Sequence, residues 1–414
     1  MKSIGEKTTK NVLVLFSILL SMQFWSYIPY LKIDGLPPKL AGLLFAIYIV
    51  ILFIYRKISI NDTTGIVRIV KWTIVTIFIS FIPAYIEWNQ SVISTVKASI
   101  VLSYGLFLFL VLHKWQYSTK ALMSVLTFLS VVWVILEIGQ QFTYPTFWFS
   151  GRFLQNNSVN ERMGIWRFYI WGVDIVMISF SYWLFRCIDL TKKTNKNMVK
   201  SVLMTILLMA GLLCYGSRKH IFATLAILAY SVLTVKGKRK YVYVCIALLL
   251  LLFLFETFFA GYAEMSERAN EAQGEGEDFI RYISAQYFLF DFSNSPLYPL
   301  WGAGLEGEGS LLKGQLERLA DYGLYQADVG IIGYYSKFGL LGVSAIVWYI
   351  YIFLRNWKFI DKWFKYFFIM KMFLIIFDFW AIWSVGMMAY AVFLYMLDQN
   401  IKKNKAILLS LIHI

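Results

Sequence analysis

Apolar residues in this chain come in long unbroken runs, separated by short clusters of Lys, Arg, Asn, Asp and Gly. The runs lie near 11–31, 39–55, 70–86, 97–112, 121–140, 168–188, 199–215, 221–235, 241–260, 329–354, 366–383 and 385–398. Runs of about 17–25 apolar residues are what a helix needs to cross ~30 Å of hydrocarbon. The pattern therefore predicts an all-α, polytopic membrane protein with about twelve transmembrane helices. Short segments of alternating polarity, which would point to a β-barrel, are not the pattern here. One interval departs from the rhythm. Between the ninth and tenth spans, residues 261–328 form a long polar loop, so the chain is expected to be a single transmembrane domain over 1–414 with that loop inside it.

Composition agrees. The chain has 414 residues, of which 59% are hydrophobic and 19% aromatic, with mean hydropathy +0.63. A water-soluble domain has no use for so much apolar surface, whereas a bilayer does. The run starting at Asn11 follows Lys2, Lys7 and Lys10. It is too long for a signal-peptide core and shows no small-x-small cleavage site, so it is expected to remain as the first span.

The net charge of +15 sets the expected orientation. Basic residues gather at the N-terminus and at Arg56/Lys57/Arg68/Lys71, Lys114/Lys120, Arg186/Lys192/Lys193/Lys196/Lys200, Lys236/Lys238/Arg239/Lys240, Arg355/Lys358/Lys362/Lys365 and Lys402/Lys403/Lys405. These segments fall on alternate loops. The positive-inside rule makes those loops cytoplasmic, with both termini inside, and accounts for the basic excess without nucleic acid. The outer side then holds residues 143–167, the turn Gly216-Ser217-Arg218-Lys219-His220, and the long loop. That loop carries twelve of the 24 acidic residues and four basic ones. Long acidic loops translocate readily, so it does not conflict with the topology. Within it, DFIRYISAQYFLFDF over Asp278–Phe292 has the periodicity of an amphipathic helix at a membrane surface, and NSPLYPLWGAGLEGEG over Asn294–Gly309 is rich in turn residues.

Three cysteines, Cys187, Cys214 and Cys245, sit in or beside apolar runs, and the histidines are His113, His220 and His413. No disulfide is expected in the outer loop, and no metal site or histidine triad is supported by these spacings. No cofactor is implied.

The outer arginines are more informative. Lysine is enough to satisfy the positive-inside rule, yet Arg152, Arg162, Arg167, Arg218, Arg268, Arg281 and Arg318 lie on the outer side against that gradient. A guanidinium is a planar fork that grips phosphate oxygens bidentately. Pairing with loop carboxylates accounts for Arg268 and Arg318, which have Glu neighbours. Arg218 has no carboxylate nearby in sequence. Its turn sits at headgroup level, where Gly216-Ser217 lets backbone N–H groups face outward at the start of the next helix. Arg218 and Lys219 together suit a lipid-borne diphosphate; snorkelling to the interface is the alternative, and it fits Lys219 better.

Two further features concern the membrane interior. Glu137, Asp174, Glu256, Asp378, Lys337 and Lys371 are ionisable residues inside spans, and the four carboxylates all fall in outer halves. Such groups are expected either to face a wet outer pocket or to pair structurally. Lastly, YQADVGIIGYYSKFGLLGV over Tyr325–Val343 places Asp328 where the long loop re-enters the membrane. Gly330, Gly333, Gly339 and Gly342 favour close packing, and Lys337-Phe338-Gly339 marks a possible break. Asp328 is also a candidate N-cap for that span.

In this order — an outer Arg-bearing loop, a GSR turn, a long outer loop with an Arg-x-Ile/Tyr-aromatic run leading to Gly302-Ala303-Gly304, then ADVGIIGYYSKFGLLG — the chain resembles the Wzy-type polymerases of the O-antigen polymerase/ligase superfamily. The resemblance spans nearly the whole length through short motifs. It implies a GT-C-like fold in a bacterial cytoplasmic membrane and an inverting, metal-independent glycosyl transfer at the outer face. Donor and acceptor would be undecaprenyl-diphosphate-linked oligosaccharides in membrane lipid. A flippase and a chain-length regulator of the same pathway would be partners. Carried over by position, Arg218 and Arg281 would hold the diphosphate, with the earlier arginine supplied by Arg152, Arg162 or Arg167. Lys219, Asp174 and Glu256 join them as substrate-binding candidates. The ligase branch carries a histidine near the end of the long loop, where this chain has Asp328. Asp328 is therefore the expected catalytic base, followed by Asp321 and Glu306. A lipid-linked-oligosaccharide flippase is the competing expectation, which would call for pseudo-symmetric halves and a midplane site; the chain shows no evident internal repeat.

Overall fold

The computed structural model describes residues 2–22, 62–146, 160–162, 165–168, 170–189, 195–234, 277–379, 381 and 383–412, with isolated positions between 40 and 48. It is a helical membrane protein. Among the described residues, Ile66–Ile86, Val92–Trp115, Thr119–Thr143, Asn197–Cys214 and Ile331–Arg355 are long and apolar enough to cross a bilayer. They turn large apolar side chains outward, among them Ile93, Phe128, Ile135, Leu203, Leu340, Val347 and Phe142, the last 85% exposed. In water such a surface would be a large aggregation-prone patch; against lipid it is the matching solvent. Expected spans 39–55 and 241–260, most of 11–31 beyond Met22, Arg152, Glu256 and the first part of the long loop lie outside the described residues.

In chain order the helices are α1 (Lys2–Ser21), α2 (Ile66–Ile79), α3 (Phe81–Ile86), α4 (Val92–Trp115), α5 (Thr119–Thr143), α6 (Val173–Ile188), α7 (Asn195–Cys214), α8 (Arg218–Leu233), α9 (Glu277–Gln286), α10 (Tyr298–Trp301), α11 (Leu311–Asp321), α12 (Ile331–Arg355), α13 (Lys362–Leu374) and α14 (Ser384–Ile412). Several begin on a residue that satisfies the first orphan N–H groups: Ser91 Oγ accepts from Ser94 N, and Ser310 Oγ accepts from Lys313 N. The segment expected as an outer loop, 143–167, contains a two-stranded antiparallel hairpin, β1 (Asn160–Arg162) with β2 (Ile165–Arg167).

Helices α4 and α14 form the central pair. Their backbones meet at Gly105, where a Cβ would fall 2.6 Å from the Cα of Met388. Around them pack α2, α6, α12 and α13, with α5, α7 and α8 outside α6 and α13. One end of this bundle is basic. There Asp398, wholly buried, accepts from Lys402 Nζ at 2.6 Å, lies 3.5 Å from His113 Nε2, and also accepts from Thr64 Oγ1.

At the other end the long loop folds into a cap of its own. Phe288, Phe292, Tyr298, Leu312, Leu319 and Val329 make a second small core, so this part of the loop is packed structure. Amphipathic α9 forms as expected and passes into a π-helical turn, Tyr287–Asp291. Tyr298 Oη donates to Phe288 O at 2.5 Å, and burial raises its phenol pKa above the ordinary value.

The cap is locked to the bundle by backbone. Helix α12 is broken at Gly339, whose φ 59°, ψ −160° is not helical. The break leaves the carbonyls of Ser336 and Lys337 without helical partners, and Ala303 N and Gly304 N donate to them at 2.8 and 3.0 Å. Contact this close needs glycine on both sides. A Cβ on Gly302 would stand 2.4 Å from Lys337 C, and one on Gly339 would stand 2.4 Å from Leu300 C; both residues have positive φ. The Gly302-Ala303-Gly304 and Lys337-Phe338-Gly339 motifs are thus two halves of one joint.

The run expected over 366–383 is helical only to Leu374. Residues 375–379 leave the helix, so the break expected between 383 and 385 falls earlier. The proposed N-cap role of Asp328 is also corrected. Asp328 lies in a 3-10 turn, Gln326–Val329, and the residue preceding α12 is Gly330 at φ 53°, with no side-chain cap.

The joint yields a prediction. Gly339→Ala must adopt a left-handed φ, costing about 1–2 kcal/mol before any clash, and should lower the thermal midpoint of the purified protein by several degrees or abolish folding. Gly314→Ala, in α11, where a Cβ meets nothing within 4 Å, should leave the midpoint unchanged or raise it slightly. Equal midpoints for the two variants would contradict the joint.

Candidate functional site

Two neighbouring groups of residues form the end opposite the basic one. The first surrounds the Gly216–His220 turn. Gly216 has φ 64° and Ser217 immediately precedes α8, its carbonyl accepting from His220 N and Ile221 N at 3.0 Å each. Lys219 Nζ lies 2.9 Å from Asp378 Oδ2 and 3.5 Å from Phe377 O. His220 is buried, its Nδ1 2.9 Å from Ser217 Oγ and its Nε2 3.8 Å from Asp378 Oδ2.

Arg167 comes to this turn from β2. A Cβ on Gly216 would sit 3.5 Å from Arg167 Cβ. The strand is held by Gln141, which donates through Nε2 to Trp166 O at 2.6 Å and accepts from Trp166 N at 2.9 Å. Of the three earlier outer-loop arginines, Arg167 is therefore the one seated against the GSR turn. Arg162 has its backbone in β1, and Arg152 lies outside the described residues.

The unwound stretch after α13 connects the turn to the loop's re-entry. Ile331 N donates to Ile375 O at 2.9 Å, and a Cβ on Gly330 would stand 2.3 Å from that oxygen. Asp328, two residues earlier, is exposed, and the turn carrying it packs against α9, the helix of half-buried Arg281. Asp321, at the end of α11, is exposed.

Of the three described span carboxylates, two are paired and none lines the cavity described below. Asp174 at the start of α6 accepts from Lys371 of α13, whose side chain is 2% exposed. Asp378 is held by Lys219 as described. Glu137 is fully buried, and neither of its oxygens has a hydrogen-bond partner.

The open space is the second group. A cavity of about 480 Å³ lies between the N-terminal turns of α4, the loop at 305–308, Lys337 of α12, and Trp171 and Trp383. Lys337, buried on its helix, donates to both Glu306 oxygens at 3.1 and 3.0 Å. Trp171 and Trp383 meet edge-to-face at 5.8 Å. Gln90 fastens the loop: its Oε1 accepts from Gly307 N at 2.9 Å, and its Nε2 donates to Leu305 O at 2.9 Å. Lys97 and Glu308 complete the polar lining. The stretch 375–383 touches both groups, holding Lys219 at Phe377–Asp378 and lining the cavity at Trp383.

Glu306 is thus the acidic candidate from the sequence that lines the cavity. Arg218, Arg281, Asp321 and Asp328 do not line it. Sequence reasoning passed over Lys97, Trp171, Trp383, Gln90 and Gln141. Of these, only Lys97, a charge in the second turn of an apolar helix, carried a local signal. Among the described residues no cluster of His, Cys, Asp and Glu has the arrangement of a metal site.

No protein-family model matches the chain, and no curated protein matches it with significance.

The Asp174–Lys371 pair gives a second prediction. Breaking a buried pair strands a charge at a cost of about 3–5 kcal/mol, whereas replacing both partners with apolar residues is often neutral. Lys371→Met alone should greatly reduce the yield of folded protein. The double variant Asp174→Leu, Lys371→Met should restore it. Additive losses in a double-mutant cycle would show that the pair is not coupled.

Proposed function

We propose that this protein is a membrane glycosyltransferase that polymerises lipid-diphosphate-linked oligosaccharide repeat units at the outer face of a bacterial cytoplasmic membrane. The observation that carries the reading is the cavity at the non-basic end. It pairs aromatic walls with carboxylate and ammonium groups, near a turn bearing Arg218 and Lys219 against which Arg167 is seated. By the positive-inside rule that end is extracytoplasmic and both termini are cytoplasmic.

In this reading a hydroxyl of the incoming repeat unit attacks the anomeric carbon of the lipid-linked chain from the face opposite the diphosphate. The new C–O bond forms as the bond to the diphosphate breaks, its electron pair leaving on the phosphate oxygen. A carboxylate takes the hydroxyl proton. Glu306 suits this task better than Asp328 or Asp321, because it lines the cavity and Lys337 fixes its orientation. Arg218, Arg281 and Arg167 supply positive charge for the leaving diphosphate. The flippase alternative asks for a site at mid-depth reached from both faces, whereas this cavity opens among helix ends on one side.

Deleting the gene in its host should abolish long surface chains while single repeat units still arrive; an unchanged ladder would refute the reading, and loss of single units as well would favour transport. Arg218→Lys keeps the charge and loses the bidentate fork, and should cut chain formation roughly tenfold or more at unchanged protein level. Wild-type ladders in that variant would remove Arg218 from the diphosphate site.

A further inference from the structure

We infer that the cavity is a subsite for a sugar ring bearing an oxyanion, with the ring against Trp383 and Trp171 and the oxyanion on Lys97. The inference rests on the polymerase reading only for its setting; the binding chemistry follows from the lining itself.

At about 480 Å³ the cavity falls in the usual range for small-ligand pockets, roughly 300–1,000 Å³. A pyranose has apolar C–H faces and a polar edge. It suits a site where indole rings make one wall and charged groups fill the rest. Trp383 is 41% exposed and lines the space beside half-buried Trp171, so indole surface is open to an occupant.

The charged groups are not equivalent. Lys337 is committed: its side chain is 5% exposed, and it donates to both Glu306 oxygens while lying 6.0 Å from the Trp383 ring centroid. Glu306, with a third of its side chain exposed, keeps acceptor capacity for sugar hydroxyls. Glu308 is exposed at the rim, where its backbone carbonyl accepts from Ser94 Oγ at 3.3 Å. Lys97 is exposed on α4, facing the cavity, and has no ion-pair partner among the described residues. An ammonium left uncommitted in a lined cavity selects an anionic ligand over its neutral isostere, because a charge-assisted hydrogen bond is the stronger kind. The oxyanion has two chemical sources, the carboxylate of an acidic sugar or the phosphate on an anomeric carbon.

The test uses the full-length protein in lipid nanodiscs and saturation-transfer NMR with three probes: methyl glucuronide, glucose 1-phosphate and methyl glucoside. Both anionic probes should bind more tightly than the glucoside, by about tenfold; the tighter of the two identifies the source. Lys97→Gln should erase that preference, Lys97→Arg should retain it, and Trp383→Ala should weaken all three probes. Equal binding of glucuronide and glucoside, or a preference untouched by Lys97→Gln, would overturn the subsite. Lys97 is exposed, so its variants should remain monodisperse, and Lys97→Arg checks for misfolding. Because these probes cannot be polymerised, binding with unchanged surface ladders on deletion defeats the polymerase reading alone. Ladders that depend on the gene without anionic preference in vitro defeat the subsite alone.

Discussion

The structure turns on two backbone hydrogen bonds, from Ala303 N to Ser336 O and from Gly304 N to Lys337 O. In a membrane helix an unpartnered carbonyl costs several kcal/mol, so a break is tolerated only where other protein groups satisfy it. Here the long polar loop supplies the missing donors. The same contact turns a loop into a fixed wall. It places Glu306 two residues beyond a backbone anchor and Lys337 within one residue of another. Their ion pair is therefore set by main chain, not by side-chain search, and the cavity inherits that rigidity. Gln90 adds a third anchor at Gly307. A site held this way loses little conformational entropy when a ligand enters.

Among the described residues at this end of the bundle, most of the partly or fully buried charges are paired, whereas buried Glu137 has no hydrogen-bond partner. Asp174 with Lys371 and Asp378 with Lys219 neutralise each other between helices distant in sequence. Such pairs are weak evidence of stability but strong constraints on geometry, because a mispaired neighbour strands a charge. They tie α6 to α13 and α8 to the unwound stretch after α13. Toward the surface, Lys97, Glu308 and the Glu306–Lys337 pair line open volume.

Much of this was legible in the chain, for reasons that can be named. Continuous apolar runs located the helices Val92–Trp115, Thr119–Thr143 and Ile331–Arg355 to within one to five residues at each end, because bilayer length is a hard constraint. Lys337-Phe338-Gly339 announced a break, since a lysine and a glycine in mid-span have few bland uses. The unwinding at 375–379 was not legible. Its residues are as apolar as a helix requires, and what holds it open is Lys219, 158 positions away in sequence. The site was half legible. Glu306, Lys219 and Asp174 were singled out, as were Lys337, Asp378 and Lys371, but which pairs with which was not legible, because ion pairing is a property of the fold. Trp171 and Trp383 could not be chosen from the 15 tryptophans in the chain, and Gln90 and Gln141 act through backbone groups that no side-chain pattern encodes.

The mode of action follows from where rigidity lies. A carrier that exposes its site alternately to two faces needs halves that move as units against each other. In this protein the cap, the broken helix α12 and the stretch after α13 are joined by backbone bonds, and α13 is bound to α6 by a buried ion pair. Swinging the cap or the stretch after α13 would break main-chain hydrogen bonds to α12, and swinging α13 away from α6 would break the Asp174–Lys371 pair. The cavity also lies among helix ends. For the proposed polymerase, a stationary site would suit chemistry on a lipid-borne substrate that diffuses to it. The glycosyl transfer proposed above would gain from that stillness, because dipoles that must reorient during a reaction give back the stabilisation they offer.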